Sequence, residues 1–225
     1  MRFCTSCICV FLFILPAPLR AQETTGPSRT DALQNYRAGR DLEYRGRRDD
    51  AEVYYKEAAR ICIEEIARNP VNMDAYAVLT WTLQRQRKYS EVIAWGERGL
   101  RAGGTDYRLI EIMGEASFYL DRYEDSLRYM ERYTNALPRG DRASVAFFFI
   151  GEIFRLEGKF RLADIAYTTA VKLEPNSALW WYRLGQVRES SGDSAPAVEA
   201  YEQALRLDPN YREAREGLTR SLQSG

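Results

Sequence analysis

The 225-residue sequence contains no histidine. It therefore lacks the side chain that most often serves as a general base or a metal ligand, and enzyme classes built on histidine are excluded. Excess charge of either sign is also missing, since 32 basic residues face 32 acidic ones. A balanced chain gives no electrostatic reason to expect nucleic acid or an acidic membrane surface as a partner. Most of the positive charge is arginine, which favours ion pairs with carboxylates.

Cysteine is scarce, and three of the four cysteines fall close to the N-terminus. Cys4, Cys7 and Cys9 lie in an apolar run that gives them neither a charged setting nor a fixed site, so we expect no metal or redox chemistry there. Cys62 lies on an apolar helical stripe, where a thiol is expected to be a small buried hydrophobe. With one thiol left, the fold must depend on packing and not on disulfides.

The N-terminal segment, up to Ala21, resembles an export signal. Arg2 supplies a positive start, residues 3–15 are mostly apolar, Pro16 follows, and Ala21 offers a small residue at which cleavage is expected. The cysteines open the apolar run instead of following it, unlike a bacterial lipoprotein signal. We predict a signal peptide at 1–21 and a periplasmic or cell-envelope location, with no stable membrane span after cleavage. An uncleaved anchor is the alternative.

Near the C-terminus the sequence repeats itself at a constant spacing. The first copy contains Phe147, Ile150, Gly151, Phe154, Gly158, Ala163, Tyr167, Ala170, Glu174 and Pro175. The second contains Trp181, Leu184, Gly185, Gly192, Ala197, Tyr201, Ala204, Asp208 and Pro209. Apolar residues recur at the i, i+3, i+4 and i+7 spacing of one buried helical face. The period, about 34 residues, indicates stacked helical hairpins, because a single hairpin cannot bury its apolar face alone.

This order of aromatic, glycine, alanine and acid-proline positions resembles the tetratricopeptide repeat. The resemblance implies an all-α, right-handed solenoid of about five helix-turn-helix repeats, followed by a C-terminal capping helix. We expect a flexible leader at 22–31 and the array over 32–222. The repeats are placed at 32–65 (with a helix extension to about residue 70), 73–106, 107–140, 144–177 and 178–211, and the capping helix at 212–222.

In this repeat family the first helix of each hairpin lines a concave groove. The resemblance therefore implies partner-binding side chains at Tyr36, Arg40, Tyr44, Trp81, Arg85, Glu111, Glu115, Tyr119, Phe148, Glu152, Arg155, Tyr182, Gln186 and Glu189, with Glu43, Gln84 and Phe118 at positions of the same kind. Aromatic residues and arginines are typical of interface hot spots. The alternative is that these aromatics pack on the neighbouring repeat. Of three consecutive phenylalanines, Phe147 is expected in the core and Phe148 or Phe149 outside the core of its own hairpin.

Together these features predict a non-catalytic interaction scaffold in the bacterial cell envelope that binds an unidentified protein or peptide. No enzyme, cofactor, metal or nucleic acid is expected, since the sequence offers no activated nucleophile, paired acid and base, or phosphate loop. The residues with which related repeats clamp a chaperone's C-terminal carboxylate are replaced here by Tyr36, Arg40 and Val78.

Two alternative functions stay open. One is a self-assembling structural protein, because the overlong second helix carries Ile61, Ile63 and Ile66 with no matching half in a standard repeat, so that they could dock on another copy. The other is a small-hydrophobic-ligand or transport-accessory protein with a groove beside Trp81 and Phe148.

Overall fold

The computed structural model describes residues 26–28 and 30–224, and these residues form eleven α-helices and no strand. The predicted signal peptide and its cysteines lie outside the described residues. The helices are α1 (Ala32–Tyr44), α2 (Arg48–Arg68), α3 (Met73–Arg85), α4 (Tyr89–Gly103), α5 (Tyr107–Tyr119), α6 (Tyr123–Ala136), α7 (Ala143–Leu156), α8 (Phe160–Leu173), α9 (Ala178–Ser190), α10 (Ser194–Leu207) and α11 (Arg212–Ser224).

The helices stack in chain order. Each one packs on the next, and first helices of neighbouring hairpins also meet, with α1 on α3, α3 on α5 and α5 on α7. Five hairpins and a final helix, α11, result, which confirms the predicted all-α solenoid. None of the helices in the described part of the chain is long and apolar enough to cross a membrane.

The turn inside each hairpin has the same backbone geometry in all five. Its central residue has a positive φ, and its N–H donates to the carbonyl three residues earlier, as in Gly158 to Arg155 at 3.1 Å. The next N–H reaches back five residues, as in Lys159 to Phe154 at 2.8 Å, which completes a Schellman motif. Glycine fills this position in three hairpins, but Arg87 and Asp121 fill it in the second and third at φ 58°.

Glycine on the first helix lets the two helices of a hairpin approach closely. At Gly39, Gly151 and Gly185, a Cβ atom would lie 2.6–2.8 Å from the ring of a tyrosine on the second helix. Those tyrosines are Tyr55, Tyr167 and Tyr201. Gly96 and Gly99 of α4 instead receive side chains from neighbouring helices, Met113 and Leu109. The glycines that depart from the repeat pattern are therefore close-packing positions.

The overlong α2 corrects one expectation. Ile61 and Ile66 are buried in one cluster with Tyr76 and Leu79 of α3, and only Ile63 is exposed, at 43%. The two extra turns of α2 thus cover the first helix of the next hairpin. The apolar strip suggested as a docking face for a second copy is consumed inside the array.

The phenylalanine triplet is also placed differently from the expectation. Phe149, not Phe147, is the most buried of the three, and its ring centre lies 5.0 Å from that of Phe118 on α5. Phe148 faces the other neighbour, stacking at 5.1 Å on Trp180 of α9. The interfaces between hairpins bury aromatic rings as fully as the hairpin interiors do.

Candidate functional site

A concave groove of about 680 Å³ lies along the first three hairpins. Its walls are α1, α3 and α5, and the loop between α6 and α7 closes one side. Six of the predicted partner-binding residues line it: Tyr36, Arg40, Trp81, Arg85, Glu111 and Glu115. Tyr107, Arg108, Tyr133, Leu137, Gly140, Asp141 and Arg142 also line it and were not predicted as site residues. The three-residue insertion before the fourth repeat, residues 141–143, was the sequence signal that could have indicated the loop.

One wall of the groove is aromatic. The ring centres of Tyr36 and Trp81 lie 5.8 Å apart with the planes tilted by 39°. The guanidinium of Arg40 lies 6.0 Å from the Tyr36 ring centre, at the outer limit of a cation–π contact. Both rings are half-buried, so each keeps a face for a partner side chain.

The opposite wall carries two buried carboxylates one turn apart on α5. The guanidinium of Arg142 reaches both: its Nε lies 3.1 Å from Glu111 Oε1, and its Nη2 pairs with Glu115. Gln84 Nε2 of α3 donates to Glu115 Oε2 at 3.1 Å. The other side-chain atom of Gln84, Oε1, is buried and accepts no hydrogen bond from the described residues.

The titration of Glu111 is strongly perturbed. Its side chain is almost fully buried, and burial together with the negative charge of Glu115 raises the pKa of Glu111 well above its ordinary range. Arg142 opposes the shift only in part, because one guanidinium is shared by two carboxylates. Two carboxylates at one site cannot both ionise without cost.

Tyr133 of α6 holds the loop that carries Arg142. The backbone N–H of Arg142 donates to the Tyr133 hydroxyl at 3.2 Å. Gly140 lies so close to that hydroxyl that a Cβ atom would approach it to 2.7 Å. The loop is therefore fitted against α6, and this contact sets where the Arg142 side chain enters the groove.

The arginine predicted at the end of α3 is paired within the array. Arg85 Nη2 lies 2.7 Å from Glu43 Oε2, and Glu43 also accepts from the Tyr55 hydroxyl at 2.8 Å. These hydrogen bonds and the charge of Arg85 hold the pKa of Glu43 below its ordinary range, although burial acts in the opposite direction. Tyr44 and Tyr119 do not line the groove. Tyr44 is 94% exposed, and Tyr119 stacks on Tyr89 at 4.9 Å.

The predicted residues of the fourth hairpin hold neighbouring helices together. Glu152 accepts from the Tyr167 hydroxyl at 2.5 Å and lies 2.8 Å from Arg155 Nη2 and 3.0 Å from Arg183 Nε. Phe148, already stacked on Trp180, lies outside the groove that contains Trp81. The hydrophobic-ligand alternative therefore loses the single cavity it required in the part of the chain that is described.

The predicted residues of the fifth hairpin are packed in the same way. The ring centre of Tyr182 lies 5.0 Å from that of Tyr211, and its hydroxyl accepts from Gln186 Nε2 at 2.7 Å. Glu189 pairs with Arg220 of α11 at 2.7 Å. For these residues the alternative of packing on the neighbouring repeat describes the structure.

Three of the ion pairs form a series with a constant spacing along the chain. Each joins a glutamate on the first helix of one hairpin to an arginine on or just before the first helix of the next unit. The pairs are Glu111 with Arg142, Glu152 with Arg183, and Glu189 with Arg220. The repeat pattern did not predict the series, because the spacing of the pairs is three positions shorter than the repeat period.

Candidate catalytic groups are poorly developed. Burial raises the pKa of the Cys62 thiol to about 12, so the thiol carries almost no thiolate at neutral pH. Among the described residues, no group of three or more Cys, Asp and Glu side chains is arranged to hold a metal ion.

Comparison with known proteins identifies both the repeat and the fold. Residues 178–211 match the family model of the tetratricopeptide repeat. No curated protein matches the chain. Among solved structures, YrrB, described as a tetratricopeptide-repeat protein with an unusual peptide-binding site, is 19% identical with a TM-score of 0.57, over 84% of this chain and 92% of that one.

Two further solved structures have the same architecture. A thermophilic tetratricopeptide-repeat protein of Thermus thermophilus, TTC0263, is 19% identical with a TM-score of 0.60, over 86% of this chain and all of that one. MamA from Desulfovibrio magneticus RS-1, from its residue 41 to the end, is 18% identical with a TM-score of 0.57, over 82% and 99%. At these identities the likeness establishes a shared fold.

Proposed function

Because this chain is a tetratricopeptide-repeat protein, we propose that it is a non-catalytic scaffold that binds a peptide, or a segment of a partner protein, in the groove between α1, α3 and α5. The observation that carries the proposal is the composition of this groove. A pair of half-buried aromatic rings, Tyr36 and Trp81, faces a polar wall across a concave surface of about 680 Å³. Aromatic anchors beside arginines are typical of binding hot spots.

The rigidity of the groove supports a binding role. Its walls are helices fixed by hairpin packing, and its loop side is fixed by Tyr133 and Arg142. A preformed site loses little conformational entropy when a partner binds. The similarity in fold to YrrB, which is described as having a peptide-binding site, favours a peptide as the occupant. The charged wall disfavours a small hydrophobic ligand.

We further propose that the scaffold acts outside the cytoplasm, in the cell envelope. The support is the N-terminal sequence, with its short positive start, apolar run and Ala21. Mass spectrometry of the protein recovered from a bacterial host tests the location. A mature chain that begins at Gln22 in the periplasmic fraction is the expected result, whereas a chain beginning at Met1 in the cytoplasm contradicts export.

Site-specific photo-crosslinking tests the groove. Benzoylphenylalanine is placed at Arg40, which lines the groove, and at Tyr44, which lies one turn further along the same helix outside the groove. Crosslinked partner adducts are expected at residue 40 and not at residue 44. Because both positions are exposed, neither replacement disturbs packing. Adducts of equal yield at the two positions, or at residue 44 alone, would show that the partner binds elsewhere.

A further inference from the structure

The groove and the ion pairs that reach into it contain more carboxylates than arginines. Four arginines line it: Arg40, Arg85, Arg108 and Arg142. Six carboxylates line it or pair with those arginines: Glu43, Asp74, Asp106, Glu111, Glu115 and Asp141. The groove is therefore locally acidic within a chain of zero net charge. A partner surface of positive charge would complement it.

The excess of negative charge is concentrated on the side of α5 and the α6–α7 loop. Glu111 and Glu115 share the single guanidinium of Arg142. Asp141, exposed on the same loop, forms no ion pair with any described residue. Gln84 adds a buried carbonyl oxygen without a hydrogen-bond donor. Every unsatisfied group on this side is an acceptor, so the missing group is a donor with positive charge.

The other end of the groove has the opposite character. Arg40 lies beside Tyr36 and has no carboxylate within ion-pair distance among the described residues. Its charge repels a second cation, so a positive side chain is directed away from it, across Trp81 and towards α5. The aromatic pair between the two ends suits the aliphatic stem of a lysine or arginine.

From this arrangement we infer that the groove selects peptides with a basic residue, and that the lysine or arginine side chain binds at an acidic subsite. We define the acidic subsite as Glu111, Glu115, Asp141 and the Gln84 carbonyl. The inference rests on the proposed peptide-binding function and names the chemistry of the peptide. Ammonium and guanidinium groups both satisfy it, because the subsite offers several acceptor oxygens and not a single planar carboxylate.

The test is a selection of random dodecapeptides displayed on phage against the purified protein. Enrichment of lysine and arginine in the selected pool is expected. A synthetic peptide from that pool should bind about tenfold more weakly to Asp141→Lys, and each glutamine replacement of its basic residues identifies the one that enters the subsite. The matched control is Glu174→Lys, which makes the same charge change at an exposed position outside the groove. Binding should also weaken as salt is raised.

The outcomes separate this inference from the proposed function. If selected peptides bind and lose binding in Trp81→Ala, but show no basic enrichment and equal affinity for Asp141→Lys, the groove binds peptides and the inference is wrong. If no peptide is enriched, or if Trp81→Ala binds as well as the native protein, the groove assignment itself fails. Gln84→Leu, which removes the acceptor without changing charge, should weaken the basic peptide several-fold; unchanged affinity would contradict the role given to that oxygen.

Discussion

At the scale of single residues, the acidic wall shows how burial changes the charge state of a side chain. Glu111 lies one turn from Glu115 and is almost fully buried, so its neutral form is favoured. The carboxylates at exposed ion pairs behave in the opposite way. Hydrogen bonds and charge from Arg220 lower the pKa of Glu189, and Arg122 does the same for Asp125. The groove is therefore the place where the pH dependence of stability reverses its sign.

The first prediction is that Glu111→Gln gains stability relative to the native protein as pH rises from about 5 to 8. The folded protein binds a proton on Glu111 at a pH where the unfolded chain, with an ordinary pKa of 4.5, has lost it. Stability from this group is thus present at low pH and is lost as pH rises through the raised pKa, because the folded state binds more protons than the unfolded state in that window. Glutamine keeps the neutral shape and does not titrate.

Urea unfolding of both proteins at several pH values measures the difference. The control is Glu189→Gln, whose parent carboxyl has a lowered pKa. That variant should approach the native stability as pH falls through the lowered value, where the native carboxylate becomes protonated. A constant difference between Glu111→Gln and the native protein across the whole range would show that Glu111 does not change charge there.

At the scale of helices and turns, the five hairpins use one turn geometry with different residues. Glycine is suited to the positive φ of the central position because it has no Cβ atom. Arg87 and Asp121 adopt φ 58° in the second and third hairpins, although a left-handed conformation is unfavourable for residues with a side chain. These are also the hairpins in which the sequence departs most from the repeat pattern.

The second prediction is that Arg87→Gly stabilises the protein by up to about 1 kcal/mol. The variant relieves the left-handed strain, and the greater freedom of glycine in the unfolded chain offsets part of the gain. Gly158→Ala, at the equivalent turn with φ 71°, should destabilise by a similar amount, because nothing else contacts its Cβ position. Thermal unfolding measures both changes. Stabilisation by Gly158→Ala, or loss of stability in Arg87→Gly, would contradict the strain argument.

Sequence periodicity could predict the hairpins because each buries one apolar face with a regular spacing. The frames around Gly151 and Gly185 were clear, and the same pattern identified α2 as overlong. The α6–α7 loop could not be predicted as a groove wall, since a three-residue insertion has no periodicity. Nor could the packing of Phe148 and Phe149 be assigned from one repeat frame, because their ring partners belong to neighbouring hairpins.

The candidate site was predictable in part for the same reason. The frame places a residue such as Trp81 on the first helix and hence towards the concave face, and in the first three hairpins six of the predicted residues line the groove. It carries no information on which charged side chains are consumed by partners from the next unit. Glu152 and Glu189 were predicted as partner contacts from their positions, whereas their ion pairs depend on arginines of the following unit, Arg183 and Arg220.

At the scale of the whole molecule, the evenly spaced series of ion pairs joins units that the hairpin packing leaves separate. In a solenoid, stability is approximately the sum of repeat terms and terms for the interfaces between neighbours. The three pairs lie at such interfaces, but they differ in burial. Glu152 is buried against two arginines and Tyr167, whereas the partner of Glu189, Arg220, is largely exposed.

The third prediction follows from this difference in burial. Glu152→Gln should destabilise the protein by about 3 kcal/mol, because it leaves Arg155 and Arg183 partly buried without a counter-charge. Arg220→Gln, at the exposed pair, should cost less than about 1 kcal/mol. The larger loss should also uncouple the last two hairpins from the others, which lowers the slope of the urea transition and makes it less cooperative. Hydrogen exchange in α9 and α10 would then speed up more than exchange in α3. Equal losses in the two variants, with one cooperative transition in each, would mean that the pairs are surface contacts and that packing alone couples the hairpins.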